Sequence, residues 1–174
     1  MSGAWVRPIR LAELSRGPVE LDLAPDAATR ASLARELGLE SLRSLSGKLT
    51  VYPWLDGAEI VGRLDGVAEQ ICGVSLEPFE QPLSAELEIR IVPAGSPNAP
   101  EPEPPGEVVL DTDLPDPPDV LEGEEIDMAA YVLEQLALAV DPFPRKPGAT
   151  LDYQPPEADV SPFSVLKSLK DKKD

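Results

Sequence analysis

The sequence contains no histidine and a single cysteine, Cys72. The missing histidine excludes Ser-His-Asp and Cys-His catalytic centres, together with imidazole bases and imidazole metal ligands. A single cysteine excludes the common structural zinc sites and any internal disulfide. We therefore predict no catalytic residue, no metal site and no cofactor, and we expect a protein that is not an enzyme. The alternative is an enzyme that works with carboxylates, a carboxylate-dependent hydrolase.

Basic residues are also scarce, because 15 lysines and arginines stand against 32 acids, for a net charge of −17. A field of this sign repels a phosphate backbone, which disfavours broad nucleic-acid binding by the whole surface. Basic partners are the attractive candidates instead.

Long apolar runs are missing too, so no membrane span is expected. The N-terminus lacks the charged and then apolar layout of a secretory signal. We therefore expect a cytoplasmic protein that does not contact a membrane.

Proline is abundant, with 21 residues that concentrate in a few runs, and these runs divide the 174 residues into three zones of one domain. The first zone is a sheet body over residues 1–95. Its sequence predicts strands over residues 5–14 and 19–23 and a helix over residues 25–38, with Gly38 at the C′ position.

Three longer strands complete the body. They alternate apolar and polar residues, which is typical of an antiparallel sheet with one buried and one solvated face. The positions predicted to face the core are Leu45, Gly47, Leu49 and Val51; Ile60, Leu64, Ala68 and Cys72; and Leu83, Ala85, Leu87, Ile89 and Ile91. The other face mixes arginines with acids, so a solvated mixed surface is favoured over a basic strip.

The second zone, residues 96–125, is rich in proline and acids. The stretch from 100 to 127 carries 11 acids and no base. Such a composition cannot bury enough apolar surface to offset the entropy of ordering, so it predicts a flexible acidic loop. The acids proposed to recognise a basic partner are Asp111, Asp113, Asp116, Asp119, Glu122, Glu124 and Glu125.

The third zone, residues 126–174, begins with a helix predicted over residues 126–140, apolar nearly all round and buried on the dry face of the sheet. A basic C-terminal segment follows, with Ser161 placed to cap a short helix. Its proposed partner-binding residues are Pro162, Phe163, Leu166, Lys167, Leu169 and Lys170. A helix that docks on the body of the protein itself is an equally open interpretation.

These elements predict an α+β fold. We expect a curved antiparallel sheet of about five or six strands packed on one long apolar helix, with a Pro-rich acidic loop and a short C-terminal helix. A monomer is expected.

Cys72 is in phase with Ile60, Leu64 and Ala68 and should therefore lie on the buried face. A free cysteine is among the most buried residue types and behaves as a small hydrophobe. Nearby Glu69 and Glu77 are expected to raise the pKa of its thiol. A structural role is predicted.

The run from Cys72 through Ser75 to 78–79 (Pro-Phe), together with the C-terminal ending of the chain, resembles the YceD family of large-ribosomal-RNA accumulation proteins. Many relatives carry Cys-x-x-Cys and then a Gly-x-Pro-Phe-like run between strands, where this chain has Cys72, Ser75 and 78–79 (Pro-Phe). The pair 126–127 (Ile-Asp) at the start of the apolar helix and the ending 161–170 (SPFSVLKSLK) also resemble the family. Because Ser75 replaces the second cysteine, a metal or redox role of the paired thiols does not carry over.

The resemblance implies a non-enzymatic accessory factor that supports accumulation of large-subunit ribosomal RNA. Its expected partner is a basic ribosomal protein, or a pre-50S particle or its large-subunit rRNA. The acidic loop would then hold a basic protein soluble by imitating RNA phosphates.

Overall fold

The computed structural model describes residues 5–100 and 116–151 of the chain. They form a mixed α+β fold around a five-stranded sheet in the order β2-β3-β4-β5-β6. The strands are β2 (Val19–Leu23), β3 (Ser41–Trp54), β4 (Gly57–Ile71), β5 (Pro78–Pro93) and β6 (Asp119–Leu121). All neighbours are antiparallel except β6, which runs parallel to β5. The prediction of an antiparallel sheet of about five or six strands is confirmed for the strand number and for most of the pairing, whereas the parallel β6 departs from it.

The three long strands bury the positions that their alternation predicts. Leu49, Ile60, Leu64 and Leu87 are all essentially inaccessible to solvent. Ala85 and Ile89 are half-buried and pack against the edge of the core. The period-two pattern decides the register, because a slip of one residue would turn this whole set toward solvent.

Leucines on neighbouring strands cover glycines of β4. Gly62 pairs with Leu49 on one side and with Leu87 on the other. A Cβ atom at Gly62 would stand 2.2 Å from the carbonyl oxygen of Lys48 and 2.7 Å from a methyl of Leu49. The glycine therefore leaves the space into which the large side chains pack.

The N-terminal segment differs from the predicted strand over residues 5–14. Only β1 (Ile9–Arg10) is extended, and it pairs with β7 (Glu125–Ile126). A 3₁₀ helix (Leu11–Arg16) follows. The strand prediction is wrong because Leu11 and Leu14 are three residues apart, which is one turn of a 3₁₀ helix, and Leu14 is buried in the core.

Helix α1 (Ala27–Glu36) lies inside the predicted range of 25–38. Asp26 caps it, since its Oδ1 accepts a hydrogen bond of 2.8 Å from the N–H of Thr29. At the other end Gly38 has a φ of 68°, and the N–H of Leu39 bonds to the carbonyl of Ala34 at 2.9 Å. This is the Schellman arrangement that the glycine at C′ predicts.

Helix α2 (Met128–Ala139) is shorter than the predicted 126–140 and is not buried all round. Its buried side chains, Met128, Val132 and Leu136, recur every four residues and join the core beside β5. Leu138 is 74% exposed. The prediction of a largely buried helix is wrong because only one of its sides contacts the sheet.

The structure describes part of the predicted acidic loop. Residues 119–121 form β6 at the edge of the sheet, and residues 125–126 form β7. Residues 101–115 lie outside the described residues, and so does the C-terminal segment from residue 152 onward. No helix in the described part of the chain has the length and apolar character needed to cross a membrane.

Candidate functional site

Cys72 stands at the turn between β4 and β5, directly after the last residue of β4. Its N–H bonds to the carbonyl of Glu77 at 2.9 Å, and its carbonyl accepts from the N–H of Leu76 at 2.9 Å, which closes the turn. The thiol is completely buried, in agreement with the phase of the strand.

Three backbone N–H groups surround the sulfur. Those of Val74 and Ser75 lie 3.4 and 3.3 Å from Sγ, and that of Lys146 lies 3.3 Å away. Lys146 belongs to the segment after α2. In the same segment, the carbonyl of Pro144 accepts a hydrogen bond from the N–H of Gly73. The cysteine therefore ties two parts of the chain that lie 74 residues apart.

The Ser75 hydroxyl, followed by the N–H groups of Ser75 and Lys146, lowers the pKa of the Cys72 thiol to about 6. The expectation that Glu69 and Glu77 would raise this pKa is wrong. The Glu77 carboxylate is engaged with the Lys146 ammonium at 2.8 Å, and hydrogen bonds to the sulfur favour its charged form.

This turn can hold a buried thiolate, but a metal ion needs further ligands. Ser75 offers a hydroxyl where a second thiolate would stand. Within residues 5–100 and 116–151, no group of three or more Cys, Asp or Glu side chains could share a metal ion. What the turn shows is a sulfur whose hydrogen bonds join the β4–β5 turn to the segment after α2.

The polar face of the sheet carries three arginines, and each is paired with acids. Arg63 bonds to Asp65 at 3.0 Å and to Glu86 at 3.3 Å. Arg90 bonds to Glu59 at 2.9 Å and lies over the ring of Trp54. The third, Arg43 of β3, contacts Glu69 of β4 and Glu80 of β5. The expected mixed surface is therefore what the sheet presents.

A groove of about 610 Å³ opens between β5, β6 and α2, and we call it the acidic groove. Its apolar side chains are Ile89, Tyr131 and Leu138. Its charged side chains are Glu86, Glu88, Asp116, Asp119, Glu134 and Arg90. The guanidinium of Arg90 already bonds to Glu59 and Glu88, so the groove is left with an excess of negative charge.

A second groove of about 510 Å³ lies between β6 and α2, and we call it the neighbouring groove. It shares Asp119, Tyr131 and Glu134 with the acidic groove. Its other carboxylates come from Glu122, Glu125 and Asp127, and no base lines it. The two grooves together form a continuous anionic surface around Tyr131.

Tyr131 is the centre of this surface. Its hydroxyl hydrogen-bonds to Asp119, and burial of the ring, followed by the charge of Asp119, raises the pKa of the phenol above its usual range. The phenol therefore stays neutral at physiological pH. A half-buried aromatic ring beside carboxylates suits a ligand that combines an apolar group with a cation.

The structure brings together four of the predicted acidic residues. Asp116, Asp119, Glu122 and Glu125 line the two grooves, although Glu125 is paired with Arg10 at 2.7 Å. Glu124 lines neither groove, and its backbone carbonyl accepts a hydrogen bond from the N–H of Leu11. Asp111 and Asp113 lie outside the described residues, and so do all six predicted partner-binding residues of the C-terminal segment.

Sequence reasoning missed the contributions of α2 and β5. Glu134 interrupts the apolar helix, and this interruption was the signal that one side of α2 faces solvent. Glu86 and Glu88 alternate with the core positions of β5, but no sequence pattern indicates that β6 pairs with β5 a few residues further on, at 91–93. The groove arises from that parallel pairing.

The match to known proteins covers the region just described. The model of the family called Large ribosomal RNA subunit accumulation protein YceD matches residues 60–170, which is more than half of the chain. This range includes the Cys72 turn, both grooves and α2. No curated protein and no solved structure matches the chain. The chain therefore belongs to the YceD family, whose name assigns it to the accumulation of large-subunit ribosomal RNA.

Proposed function

We propose that this protein is a non-enzymatic accessory factor of large-ribosomal-subunit assembly. It binds a basic ribosomal protein through the acidic groove and the neighbouring groove. In this function it acts as a cytoplasmic monomer and delivers its partner to the pre-50S particle, where large-subunit rRNA takes the partner over. The family membership supports the process, and the anionic surface around Tyr131 supports the mode of binding.

The observation that carries the proposal is the imbalance of charge at the grooves. Eight carboxylates line them, and Arg90 is the one base among their lining residues. Among the described residues, Asp116, Glu122 and Glu134 take part in no ion pair. Such carboxylates attract lysines and arginines without first breaking a bond inside the protein.

Partner release follows from the same chemistry. Contacts among exposed charges are individually weak and screened by salt. A polyanion with a higher charge density, such as rRNA, would therefore displace the grooves from a basic protein. The accessory factor would protect the partner without retaining it.

Direct contact with rRNA is the other form of the same biological role. It would use the C-terminal lysines together with the arginines of the sheet. The arginines Arg43, Arg63 and Arg90 are each paired with carboxylates, which favours the protein partner over the RNA.

The alternative of a carboxylate-dependent hydrolase gains no support from the described residues. A general acid of that kind needs a carboxyl whose pKa is raised by burial. The carboxyls with a resolved shift all have a lowered pKa, mainly because they accept hydrogen bonds from N–H, hydroxyl or cationic donors: Glu13, Asp26, Asp56, Asp65, Glu69 and Glu77.

The test is a binding titration of the full chain against individually purified large-subunit ribosomal proteins, at low and at high salt. We expect one or a few of them to bind at low salt, to be released at high salt and to be released by added rRNA. Crosslinking in cells, with identification of bound protein and bound RNA, gives the same answer without a choice of candidates. Crosslinks to rRNA alone, with no ribosomal protein retained at low salt, would show that the proposed partner is wrong.

A further inference from the structure

The outward side of α2 has an unusual composition for a helix surface. Its exposed residues are Ala130, Glu134, Ala137 and Leu138, and Leu138 exposes 74% of its surface. Among the described residues nothing packs on this side, although it continues into the acidic groove through Tyr131 and Ile89. The face therefore combines the apolar side chains of Ala130, Ala137 and Leu138 with the carboxylate of Glu134.

An occupant of this face needs matching chemistry, which is an apolar stripe with cations beside it. The C-terminal segment of the same chain, residues 161–173, has this composition. Phe163, Leu166 and Leu169 recur every three residues, as on one side of a helix. The cations beside them are Lys167, Lys170, Lys172 and Lys173.

The connection is long enough. The backbone N–H of Lys146 donates a hydrogen bond to Sγ of Cys72. This places Lys146 close to the start of β5 at Pro78. From there to Glu86 in the groove, β5 advances about 27 Å. The 17 residues from Lys146 to Phe163 can span more than about 50 Å, so the segment reaches any point along α2.

We propose that the C-terminal segment of the protein docks in cis on the outward face of α2 and in the acidic groove. Phe163 and Leu166 cover Leu138 and Tyr131, and the lysines pair with the carboxylates of the groove. The segment is thus an internal competitor for the surface that binds a basic partner, a consequence that rests on the proposed function. The docking itself requires no partner.

The experiment is zero-length carbodiimide coupling of the isolated full chain, which joins a lysine amine to a carboxylate in direct contact with it. Peptide mapping by mass spectrometry identifies the joined residues. We expect amide links from Lys167 and Lys170 to Glu86, Glu88 or Glu134. A mixture of isotopically light and heavy protein distinguishes links within one chain from links between two chains.

A pair of variants tests the apolar part of the contact. Leu138→Arg should lower the yield of these links at least about tenfold, because it replaces the exposed leucine that the apolar stripe would bury. Leu76→Arg is the matched control, since Leu76 is 76% exposed but lies in the turn before β5 and lines neither groove. Circular dichroism confirms that both variants fold, as expected for substitutions of exposed side chains.

Three results would overturn the docking. They are links that spread evenly over surface carboxylates such as Glu20 and Glu36, links that run mainly to the acids between residues 101 and 113, and links that join light to heavy chains. Equal yields from Leu138→Arg and the wild type would overturn it as well. None of these outcomes decides whether a ribosomal protein binds, so the proposed function stands or fails separately.

Discussion

The polar face of the sheet and the acidic grooves are both rich in carboxylates, but they use them differently. On the sheet face, Arg43, Arg63 and Arg90 bridge acids of neighbouring strands. In the grooves, acids such as Asp116 and Glu134 have no cationic partner among the described residues. The arginines of the sheet face are therefore already paired, whereas the grooves hold carboxylates that can still attract a cation.

The Cys72 turn resembles the sheet face, because its polar groups already have partners within the protein. Its thiol is buried and accepts hydrogen bonds from three N–H groups. A polar group that is already satisfied contributes to stability, and one that is left open is available for recognition. We expect substitutions in the first kind of region to change folding and those in the second to change binding.

The largest expected effect is a loss of partner binding when the charge of the grooves is reversed. Asp116→Lys combined with Glu134→Lys should weaken binding of a basic ribosomal protein at least about tenfold at low salt, and less at high salt because screening already weakens the contacts. The measurement is a titration by calorimetry at two salt concentrations.

The control for this prediction is Glu20→Lys combined with Asp22→Lys. Both residues are exposed on β2, and the change in net charge is the same. If this variant weakens binding as much as the groove variant, total charge rather than the grooves attracts the partner.

A smaller effect, on stability, is expected from Arg90→Gln. The side chains of Arg90 and Glu59 are only 32% and 23% exposed, and the guanidinium also lies 5.5 Å from the centroid of the Trp54 ring. Loss of a partly buried charged hydrogen bond and a cation–π contact should reduce the free energy of unfolding by about 1 to 2 kcal/mol. Urea unfolding measures it. An unchanged midpoint would show that the sheet face does not depend on this pair.

The Cys72 turn gives a pH-dependent effect. In the folded protein the pKa of the thiol is lowered to about 6 from an ordinary 9.0. The thiolate therefore adds stability that is fully present above pH 9 and is lost as the pH falls through about 6. Ser75→Ala removes the hydroxyl that lowers this pKa most, so the variant should be less stable than the wild type at high pH and equal to it at low pH.

Two measurements check this prediction. Ultraviolet absorbance of the thiolate should show an upward shift of the Cys72 pKa in Ser75→Ala, and denaturant unfolding at a series of pH values should show the difference in stability grow with pH. Ser46→Ala, an exposed serine on β3, is the control and should change neither. Identical titration curves for Ser75→Ala and the wild type would mean that the hydroxyl does not bond to the sulfur.

The sheet could be predicted from the sequence because its signal is local. Leu49, Leu64 and Leu87 lie in strands whose period-two pattern decides both conformation and facing. Gly38 marks the C-terminal end of α1 by capping chemistry that acts within a few residues. In these elements, local preference and tertiary packing agree.

The grooves could not be predicted because they depend on long-range pairing. The parallel contact of β6 with β5 joins Asp119 to Ile91, and no local pattern announces a strand of three residues within an acidic, proline-rich segment. The pKa of Cys72 depends in part on the N–H of Lys146, 74 residues away. The position of a short strand, or of a hydrogen-bond donor that is distant in the sequence, depends on the complete fold. Neither produces a periodic pattern in the sequence.

The smallest effect is expected from Arg63→Gln, and it is the strictest test of the comparison. Arg63 also bridges two acids, but its side chain is 56% exposed, and exposed pairs contribute about 0 to 1 kcal/mol because water screens them. Urea unfolding should therefore show a change well below that of Arg90→Gln. Partner binding should stay within about twofold of the wild type, because among the groove carboxylates the change releases only Glu86 and leaves Asp116 and Glu134 as they were. A marked rise in affinity would instead show that pairing on the sheet face restrains the charge of Glu86, and that the two regions act as one surface.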